Sequence, residues 1–481
     1  DPTSTAGYGG IGGSGIVLIK LSYTPIELYH GYNKLTIFGD TDRTLYEGSN
    51  SYALGTASSV YIADPGEYTY FTNTPTYAFL SNVTVGAVTN ELGLPTLNST
   101  FDGNTNGEEL GLAWTGGGPP INCGRISMNA MGTLALIPAT SYNSIDGRVY
   151  LYEKMSDNSW NLKFTFTNQR STELFGHDIA INADGTRVFI LSGKYNTTGY
   201  GRIYIYDGPN WSTTPTTTLS EPSTHNGFWA RMCINNIGTK VAASGVVYPN
   251  PGTDTGRVYV FTYDGSVWGN TPVEIPSPTT GGEFGFSTQM NTDGTRMLIG
   301  EVANDEGGTN RGRAYAYTLE GSTWTLKQDL PGHADTENFG AKISMTPDGS
   351  RAIISGPYND ETTTNGGRAY IYDYNSGTDT WTLVQDLPSQ STGEGFGADV
   401  RINDTGTRVV IGAPLSDTEG TDRGRVYIWD VNNAGEWVLT KTLNDSQQNS
   451  SNFGYSIGID LYGHTILVAA PRDDQAGTNR G

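Results

Sequence analysis

A tandem repeat is the feature that most constrains the fold of this chain. From residue 123 onward, a Phe-Gly pair or a looser version of it opens each repeat, and successive openings are 52 to 57 residues apart. The openings are Cys123, Phe175, Phe228, Phe284, Phe339, Phe396 and Phe453. A Gly-Arg-aliphatic-Tyr motif and a tryptophan recur in phase with them, so the region is built from copies of one structural unit.

Each repeat is predicted to form four short antiparallel strands, A to D. The best-defined copy, residues 396–443, contains alternating or apolar runs separated by turn residues. Sister copies place Asp-Gly between the first two runs, as in Asp184-Gly185, Asp293-Gly294 and Asp348-Gly349. Asp-Gly favours a hairpin because glycine adopts the positive φ of a tight turn without steric cost. Four-stranded units at a period above about 40 residues are typical of propeller blades.

The seven openings predict an all-β chain containing a seven-bladed β-propeller of four-stranded antiparallel blades. The seventh copy stops at Gly481, before its Gly-Arg strand. We therefore expect residues 108–116 to supply a strand that closes the ring, and we expect the sequence to be an interior segment of a longer protein.

The residues before the propeller predict three further regions. Residues 1–23 are interpreted as the end of a glycine-rich β segment, and residues 93–107 as a polar linker. Residues 24–92 contain short alternating runs between turn signals, which predicts a small immunoglobulin-like β-sandwich without the Cys…Trp…Cys pattern of a true immunoglobulin domain. The propeller itself is predicted to span residues 108–481.

The motifs of the repeats resemble those of the FG-GAP family, the propellers of integrin α subunits and of many bacterial, algal and viral surface proteins. The matching residues are Phe339-Gly340 with Gly356-Pro357, Phe396-Gly397 with Gly412-Ala413-Pro414, and Phe453-Gly454 with Ala470-Pro471. The glycine-rich segment 1–23 is similar to the ends of fibre and capsid-associated proteins of phages and large viruses. The resemblance implies a propeller that binds ligands on the face formed by its B–C and D–A loops.

Many members of that family carry a calcium loop between strands A and B. Here the equivalent turn holds only one carboxylate, whereas calcium takes six to eight oxygen ligands, usually from several acidic side chains. We therefore expect neither a calcium site nor another cofactor, and the five histidines show no metal-binding spacing.

The acidic B–C loops are the candidate binding surface that the resemblance implies. Their carboxylates would bind a glycan, a basic protein patch or a divalent cation; the alternative interpretation is solvated turns. The candidate ligand-binding residues are Asp305, Glu306, Asp360, Glu361, Asp417, Glu419, Asp422, Asp473 and Asp474.

Residues that recur in every blade are interpreted as scaffold, because each interface between neighbouring blades has the same packing requirement. This structural set comprises Phe175, Phe284, Phe339, Phe396 and Phe453 with Arg148, Arg202, Arg257, Arg313, Arg368 and Arg425. The two cysteines, Cys123 and Cys233, are expected to be buried free thiols.

Charge excludes several classes of partner. The formal net charge of −21 repels phosphate backbones and anionic lipid head groups, so we expect no nucleic acid partner. No run of 18 apolar residues occurs, so we expect no membrane insertion. Glycosylation sequons, relevant only in a eukaryotic secretory pathway, occur at Asn82, Asn98, Asn196, Asn210, Asn403, Asn444 and Asn449.

These observations favour a non-enzymatic extracellular or virion-surface protein whose propeller attaches to a glycan or protein ligand on a cell surface. The first alternative is a structural subunit of a fibre or capsid decoration, which would assemble with copies of itself or other virion proteins by strand donation. The second is a glycan-active enzyme, which would require two carboxylates about 5–10 Å apart in one pocket.

Overall fold

The computed structural model describes residues 125–471 with ten short gaps, and before them only strands between Leu18 and Phe71 and at Gly111–Leu112. The gaps are 141–146, 157–158, 171–172, 195–200, 221, 223–227, 247–255, 362, 419 and 445–450. The chain divides into two compact units, Asp1–Pro95 and Thr96–Gly481.

The first unit contains one three-stranded sheet and two hairpins. Its strands are β1 (Leu18–Ile19), β2 (Leu21–His30), β3 (Asn33–Gly39), β4 (Thr44–Glu47), β5 (Asn50–Ala53), β6 (Ser59–Ala63) and β7 (Tyr68–Phe71). The sheet has the order β1-β3-β2, and β4 pairs with β5 and β6 with β7. Residues 72–92 and most of segment 1–23 lie outside the described residues, so the immunoglobulin-like sandwich and the glycine-rich segment stay predictions.

The second unit is an all-β propeller. Among the described residues, six repeats form a blade of four antiparallel strands in sequential order. The first blade contains β9 (Ser127–Met128), β10 (Leu134–Thr140), β11 (Arg148–Lys154) and β12 (Trp160–Thr167). The second contains β13 (Glu173–Ile181), β14 (Arg187–Lys194), β15 (Arg202–Asp207) and β16 (Thr217–Ser220). The third contains β17 (Phe228–Ile234), β18 (Lys240–Val246), β19 (Arg257–Thr262) and β20 (Val273–Pro276). The fourth blade contains β21 (Phe284–Met290), β22 (Arg296–Glu301), β23 (Arg313–Glu320) and β24 (Thr323–Pro331). The fifth contains β25 (Lys342–Met345), β26 (Arg351–Gly356), β27 (Arg368–Asn375) and β28 (Thr380–Pro388). The sixth contains β29 (Asp399–Ile402), β30 (Arg408–Ala413), β31 (Arg425–Val431) and β32 (Trp437–Asn444).

The prediction of seven four-stranded blades is wrong. In the described part of the seventh repeat, β33 (Ile457–Ile459) and β34 (Ile466–Val468) form a sheet of only two strands. The segment predicted to complete this blade pairs elsewhere, because β8 (Gly111–Leu112) runs parallel to Ala139–Thr140 at the edge of the first blade. The propeller is therefore six-bladed, with a two-stranded sheet as its last element.

The hydrophobic core lies between consecutive sheets. Between the fifth and sixth blades, for example, Ile353 and Ile371 pack with Val409, Tyr427 and Trp437, all nearly inaccessible to solvent. Burying one such side chain contributes about 1.5–3 kcal/mol, so each blade is stabilised mainly by its neighbours.

The two-stranded sheet joins this arrangement on both sides. Ile457 packs with Val410 and Ile428 of the sixth blade, and Leu467 belongs to a cluster with Ile137 and Tyr150 of the first blade. The sheet therefore lies between the sixth and first blades and connects the two ends of the repeat array.

The A–B turns confirm the predicted hairpins. Each contains a glycine with positive φ, such as Gly185 at 74° and Gly406 at 67°, which glycine tolerates without a Cβ clash. An asparagine at the start of the turn fixes it further. The Oδ1 atom of Asn403 accepts hydrogen bonds from the Thr407 and Arg408 amides, each at 2.9 Å, and Asn403 is fully buried. No glycan can be attached to this sequon in the folded state.

The turns are also linked to one another around the ring. The Asp404 amide donates to the Leu461 carbonyl at 3.0 Å, and the Leu461 amide donates to the Ala130 carbonyl at 2.7 Å. Side chains form similar links: the Nη1 atom of Arg351 donates to the Gly406 carbonyl of the next blade at 2.8 Å. The last turn is therefore bonded to the turns of both the sixth and the first blade.

The two sequence motifs of the repeat meet at the boundary between consecutive repeats. The backbone of Gly424, which opens the Gly-Arg strand of the sixth blade, forms a parallel bridge with Phe453 of the following Phe-Gly pair. A Cβ atom at Gly424 would overlap the Phe453 carbonyl oxygen, and Gly256, Gly312 and Gly367 stand in the same relation to Phe284, Phe339 and Phe396. Glycine is required because two backbones approach here without room for a side chain.

We predict that Gly424→Ala lowers the free energy of unfolding much more than Gly435→Ala does. Both glycines have a φ of 82°, so both variants carry the same left-handed strain of about 1–2 kcal/mol. Only Gly424 faces a neighbouring backbone, whereas a Cβ at Gly435 would meet nothing within 4 Å. The overlap should add about 1–3 kcal/mol, measurable by chemical denaturation. Equal losses in the two variants would contradict the proposed backbone contact.

We also predict that Asp404→Asn stabilises the protein at neutral pH. Burial, and then the nearby Asp460 carboxylate, raise the pKa of Asp404 to about 6. A carboxyl group with a raised folded-state pKa favours folding below its unfolded pKa, and this contribution is lost as the pH rises through 6. The Asn variant should therefore gain about 1–2 kcal/mol at pH 7–8 and match the parent near pH 4. Thermal melts across this range test the difference, and a gain that is independent of pH would contradict it.

Candidate functional site

The B–C loops of blades four to six share one internal hydrogen bond. The Oδ1 atom of Asp305 accepts from the Asn310 amide at 2.7 Å, and Asp417 accepts from the Asp422 amide at 2.7 Å. Asp360 and the Asn365 amide make the same bond. The amide donor has a φ of 45–48° in all three loops, a conformation that Asn and Asp tolerate better than other side chains. The first aspartate of each loop thus fixes the loop's shape.

Each of these three B–C loops is bonded to the connection that leads into the next repeat. The Thr336 amide donates to the Thr309 carbonyl at 2.7 Å, the Gly393 amide to the Thr364 carbonyl at 2.9 Å, and the Asn452 amide to the Asp422 carbonyl at 3.0 Å. B–C loops and D–A connections therefore form one face of the propeller, which we call the loop face.

The structure places six of the nine predicted ligand-binding residues on this face. Asp305, Asp360 and Asp417 are exposed and occupy equivalent positions in consecutive blades. Glu306 and Glu361 are exposed too, but each lies near the arginine of its own blade, at 3.2 Å from Arg313 and 3.4 Å from Arg368.

Asp422 is half-buried. The remaining three residues, Glu419, Asp473 and Asp474, lie outside the described residues.

Four of the repeated arginines bind carboxylates of their own blade. Arg257 pairs with Glu274 at 2.8 Å, and Arg313 and Arg368 pair with Asp329 and Asp386 on the neighbouring strand. In the second blade, Arg202 pairs with the buried Glu173. The phenylalanines of the first four Phe-Gly pairs, Phe175, Phe284, Phe339 and Phe396, are fully buried, and Phe453 is half-buried.

Buried glutamates anchor the D–A connections beneath the loop face. Glu337 accepts hydrogen bonds from the His333 and Ala334 amides at 2.7 and 2.8 Å and from the Tyr370 hydroxyl. Glu394 similarly accepts from the Gln390 amide at 2.8 Å and from the Tyr427 hydroxyl at 2.6 Å. Because these carboxylates are saturated by bonds that shape the backbone, we interpret them as loop anchors.

The fourth blade supplies the same carboxylate from a different strand. There Glu301, at the end of β22, accepts the Tyr315 hydroxyl at 2.7 Å. Gly282 stands where the second, fifth and sixth blades carry Glu173, Glu337 and Glu394. In the fifth blade the arrangement is reversed, with Glu337 in the connection and Gly356 at the end of β26. A Cβ at Gly282 would overlap Glu301, and a Cβ at Gly356 would overlap Glu337. The same buried site is therefore filled by one carboxylate, which comes either from the D–A connection or from the end of the second strand of the blade.

A second cluster of polar residues lies on the innermost strands and was not found from the sequence. Each repeat contributes the residue four positions before its A–B turn begins, and we call this set the axial ring. Its members are Arg125, Asp178, Arg231, Ser287, Lys342, Asp399 and Ser456.

Hydrogen bonds show that these residues share one level. The Oδ2 atoms of Asp178 and Asp399 accept the Met232 and Ile457 amides of the next repeat, each at 2.8 Å. Ser456 accepts the Ile126 amide of the first blade at 3.2 Å, which closes the set.

The charges of the axial ring act on one another. Burial, followed by the cationic Arg125 and Arg231, lowers the pKa of Lys342 well below its ordinary value. Burial alone would raise the pKa of Asp399, but Arg401, Lys342 and Arg125 lower it, so this carboxylate stays ionised. A charged residue three positions after most Phe-Gly openings, inside an otherwise apolar strand, is the signal that could have identified the ring.

Among the described residues, no group of three or more His, Cys, Asp and Glu side chains could hold a metal ion. Cys233 is buried and free, as predicted, and burial raises the pKa of its thiol to about 12, which suppresses the nucleophilic thiolate. Cys123 lies outside the described residues. Within the same part of the chain, no helix is long and apolar enough to span a membrane.

Comparisons with known proteins give no family assignment. The sequence matches no protein-family model, and a search of curated proteins also gives no match. Among solved structures, the chain is similar to a "putative 6-phosphogluconolactonase" from Bacteroides fragilis, with 11% identity and a TM-score of 0.47 over 66% of this chain and 83% of that one. A protein of the same description from Bacteroides uniformis gives 10% identity and a TM-score of 0.47 over 72% of this chain and 87% of that one. At this level of similarity neither structure assigns a function to the chain.

In the fourth and fifth blades the same buried site is filled by a glutamate from two different positions, which leads to a prediction about stability. Glu337→Gly should lower the free energy of unfolding by about 2–4 kcal/mol, because it leaves two amides and the Tyr370 hydroxyl without their acceptor. Adding Gly356→Glu should recover part of this loss, since Glu301 fills the equivalent site from that position. Chemical denaturation of both variants provides the test. A double variant less stable than Glu337→Gly would show that the two sites are not equivalent.

Proposed function

We propose that this protein is a non-enzymatic binding protein of an extracellular or virion surface, and that its loop face attaches to a glycan or protein ligand on a cell. The observation that carries the proposal is the threefold recurrence of one exposed carboxylate in one geometry, at Asp305, Asp360 and Asp417. Loops on a rigid scaffold are where binding residues tend to lie.

The chemistry of these carboxylates suits a polar ligand. One oxygen of each is held by the amide five residues later. Among the described residues, no hydrogen-bond donor contacts the second oxygen, which remains available to sugar hydroxyls or to basic side chains. The bonds between loops and D–A connections hold these acceptors in place, which lowers the entropy cost of binding.

The FG-GAP-like motifs support the same proposal through the position of the loop face, because ligands of integrin-like propellers are bound there. The alternative of a glycan-active enzyme would need two carboxylates in unequal environments, one protonated and one ionised. The three aspartates instead have equivalent surroundings, which favours repeated contacts with a ligand over acid–base chemistry.

We predict that the triple variant D305N/D360N/D417N loses binding while keeping its fold. Asparagine retains the Oδ1 acceptor that shapes each loop but removes the charge. Binding of the labelled protein to a glycan array and to intact cells should fall at least about tenfold, since several hydrogen bonds to charged groups are weakened together.

The matched control is D184N/D293N/D348N at the opposite end of the blades. These aspartates also accept a nearby amide through Oδ1, from Thr186, Thr295 and Ser350, so this triple variant removes the same charge from an A–B turn. It should bind like the parent protein. An equal loss of binding in both triple variants would show that the loss comes from the change in net charge. Undiminished binding by the loop-face variant would overturn the proposal.

A further inference from the structure

The axial ring brings cations from non-adjacent blades together. Arg125, Arg231 and Lys342 occupy one equivalent position of the first, third and fifth repeats, at the level where hydrogen bonds join successive repeats. Lys342 interacts electrostatically with both arginines and with Arg401 of the sixth blade. Blades on different sides of a propeller approach one another only where their innermost strands surround the axis. These four cationic side chains therefore converge on the axis of the propeller.

The two carboxylates of the ring do not balance these cations. Asp399 pairs with Arg401 at 3.2 Å. Asp178 is then the remaining carboxylate of the ring against Arg125, Arg231 and Lys342. Both carboxylates are also engaged by backbone, since their Oδ2 atoms accept amides of the next repeat and their Oδ1 atoms accept the amides of Ile179 and Val400. The Oδ1 atom of Asp399 also accepts from Nη1 of Arg401 at 3.2 Å, so little acceptor capacity remains for Arg125 and Lys342.

Two of the cations lack polar partners among the described residues. The Nε and Nη2 atoms of Arg125 are buried and donate to no acceptor there. The Lys342 side chain is half-buried, and no acceptor among the same residues binds its ammonium. Buried charges are normally paired because removing an ion from water is costly. The positive excess contrasts with a chain whose formal net charge is −21.

We propose that the axial ring is a binding site for a small oxyanion, sulfate or phosphate, either free or as the terminal group of a larger ligand. The anion would accept hydrogen bonds from the Arg125 guanidinium and the Lys342 ammonium and would offset the excess charge. Guanidinium groups match the paired oxygens of such anions, and an ammonium adds a compact charge. This site lies on the axis and involves none of the loop-face carboxylates.

The first test is a titration of the intact chain with sodium sulfate and with sodium phosphate at constant ionic strength, using sodium chloride as the balancing salt. We expect saturable heat by calorimetry and a saturable rise in melting temperature. No saturable response to either anion, or equal saturation by chloride alone, would overturn the proposal.

Variants at the ring separate binding from a structural role. Lys342→Ser introduces the residue that Ser287 and Ser456 already provide at the equivalent position, so the backbone accommodates it. This variant should bind the anion at least tenfold more weakly, yet melt at a higher temperature than the parent in anion-free buffer, because it removes repulsion among the cations. A purely structural lysine would give a lower melting temperature instead, and parent-like affinity would overturn the proposal.

The control is Lys163→Ser, which removes the same charge from an outer strand where Lys163 pairs with Glu153 at 2.6 Å. It should leave anion affinity unchanged. A variant-free measurement is also available, since a crystal soaked in selenate should show an anomalous peak on the axis next to Arg125 and Lys342. A crystal without that peak would contradict the assignment.

The source of the anion is decided by comparing sulfate and phosphate with monosaccharide sulfates and phosphates. Affinity at least tenfold higher for a sugar ester would assign the site to the terminal group of a ligand. Equal affinity would assign it to the free ion.

Discussion

The structure depends on a close backbone contact between consecutive repeats. The glycine that opens each Gly-Arg strand lies against the phenylalanine of the next Phe-Gly pair, and the Phe396 and Phe453 amides donate to carbonyls of the preceding repeat at 2.9 and 3.0 Å. Neither side chain chemistry nor charge can replace this contact, because a single Cβ would overlap the partner backbone. The two motifs therefore recur with one period because they are the two halves of one interface.

That interface, together with the bonds between A–B turns, fixes the backbone of every blade in the same way. Positions that take no part in it are free to vary without changing the fold, and the axial ring shows this most clearly. One backbone position carries arginine, aspartate, lysine or serine in different repeats, and the loop face carries equivalent aspartates in three blades but not in all. Scaffold and binding surface are therefore encoded by different residues of the same repeat.

Much of the local structure could be predicted from the sequence. The Asp-Gly turns and the four-strand pattern follow from short-range periodicity and turn chemistry, and the structure agrees with them. The number of blades could not be obtained by counting Phe-Gly openings, since the seventh opening begins a sheet of only two strands among the described residues. Residues 108–116 resemble a strand D, which predicts that they complete this sheet, whereas Gly111–Leu112 pair with the first blade.

The sequence by itself determined the period, the strands and the positions of the acidic loops, because these depend on residues close together in the chain or on contacts that repeat identically. Only the tertiary structure decided which charges meet. Arg125 and Lys342 are more than 200 residues apart, and nothing in their local sequences relates them. They approach each other because the first and last repeats are joined through the two-stranded sheet, and only a closed ring brings every innermost strand to a common axis.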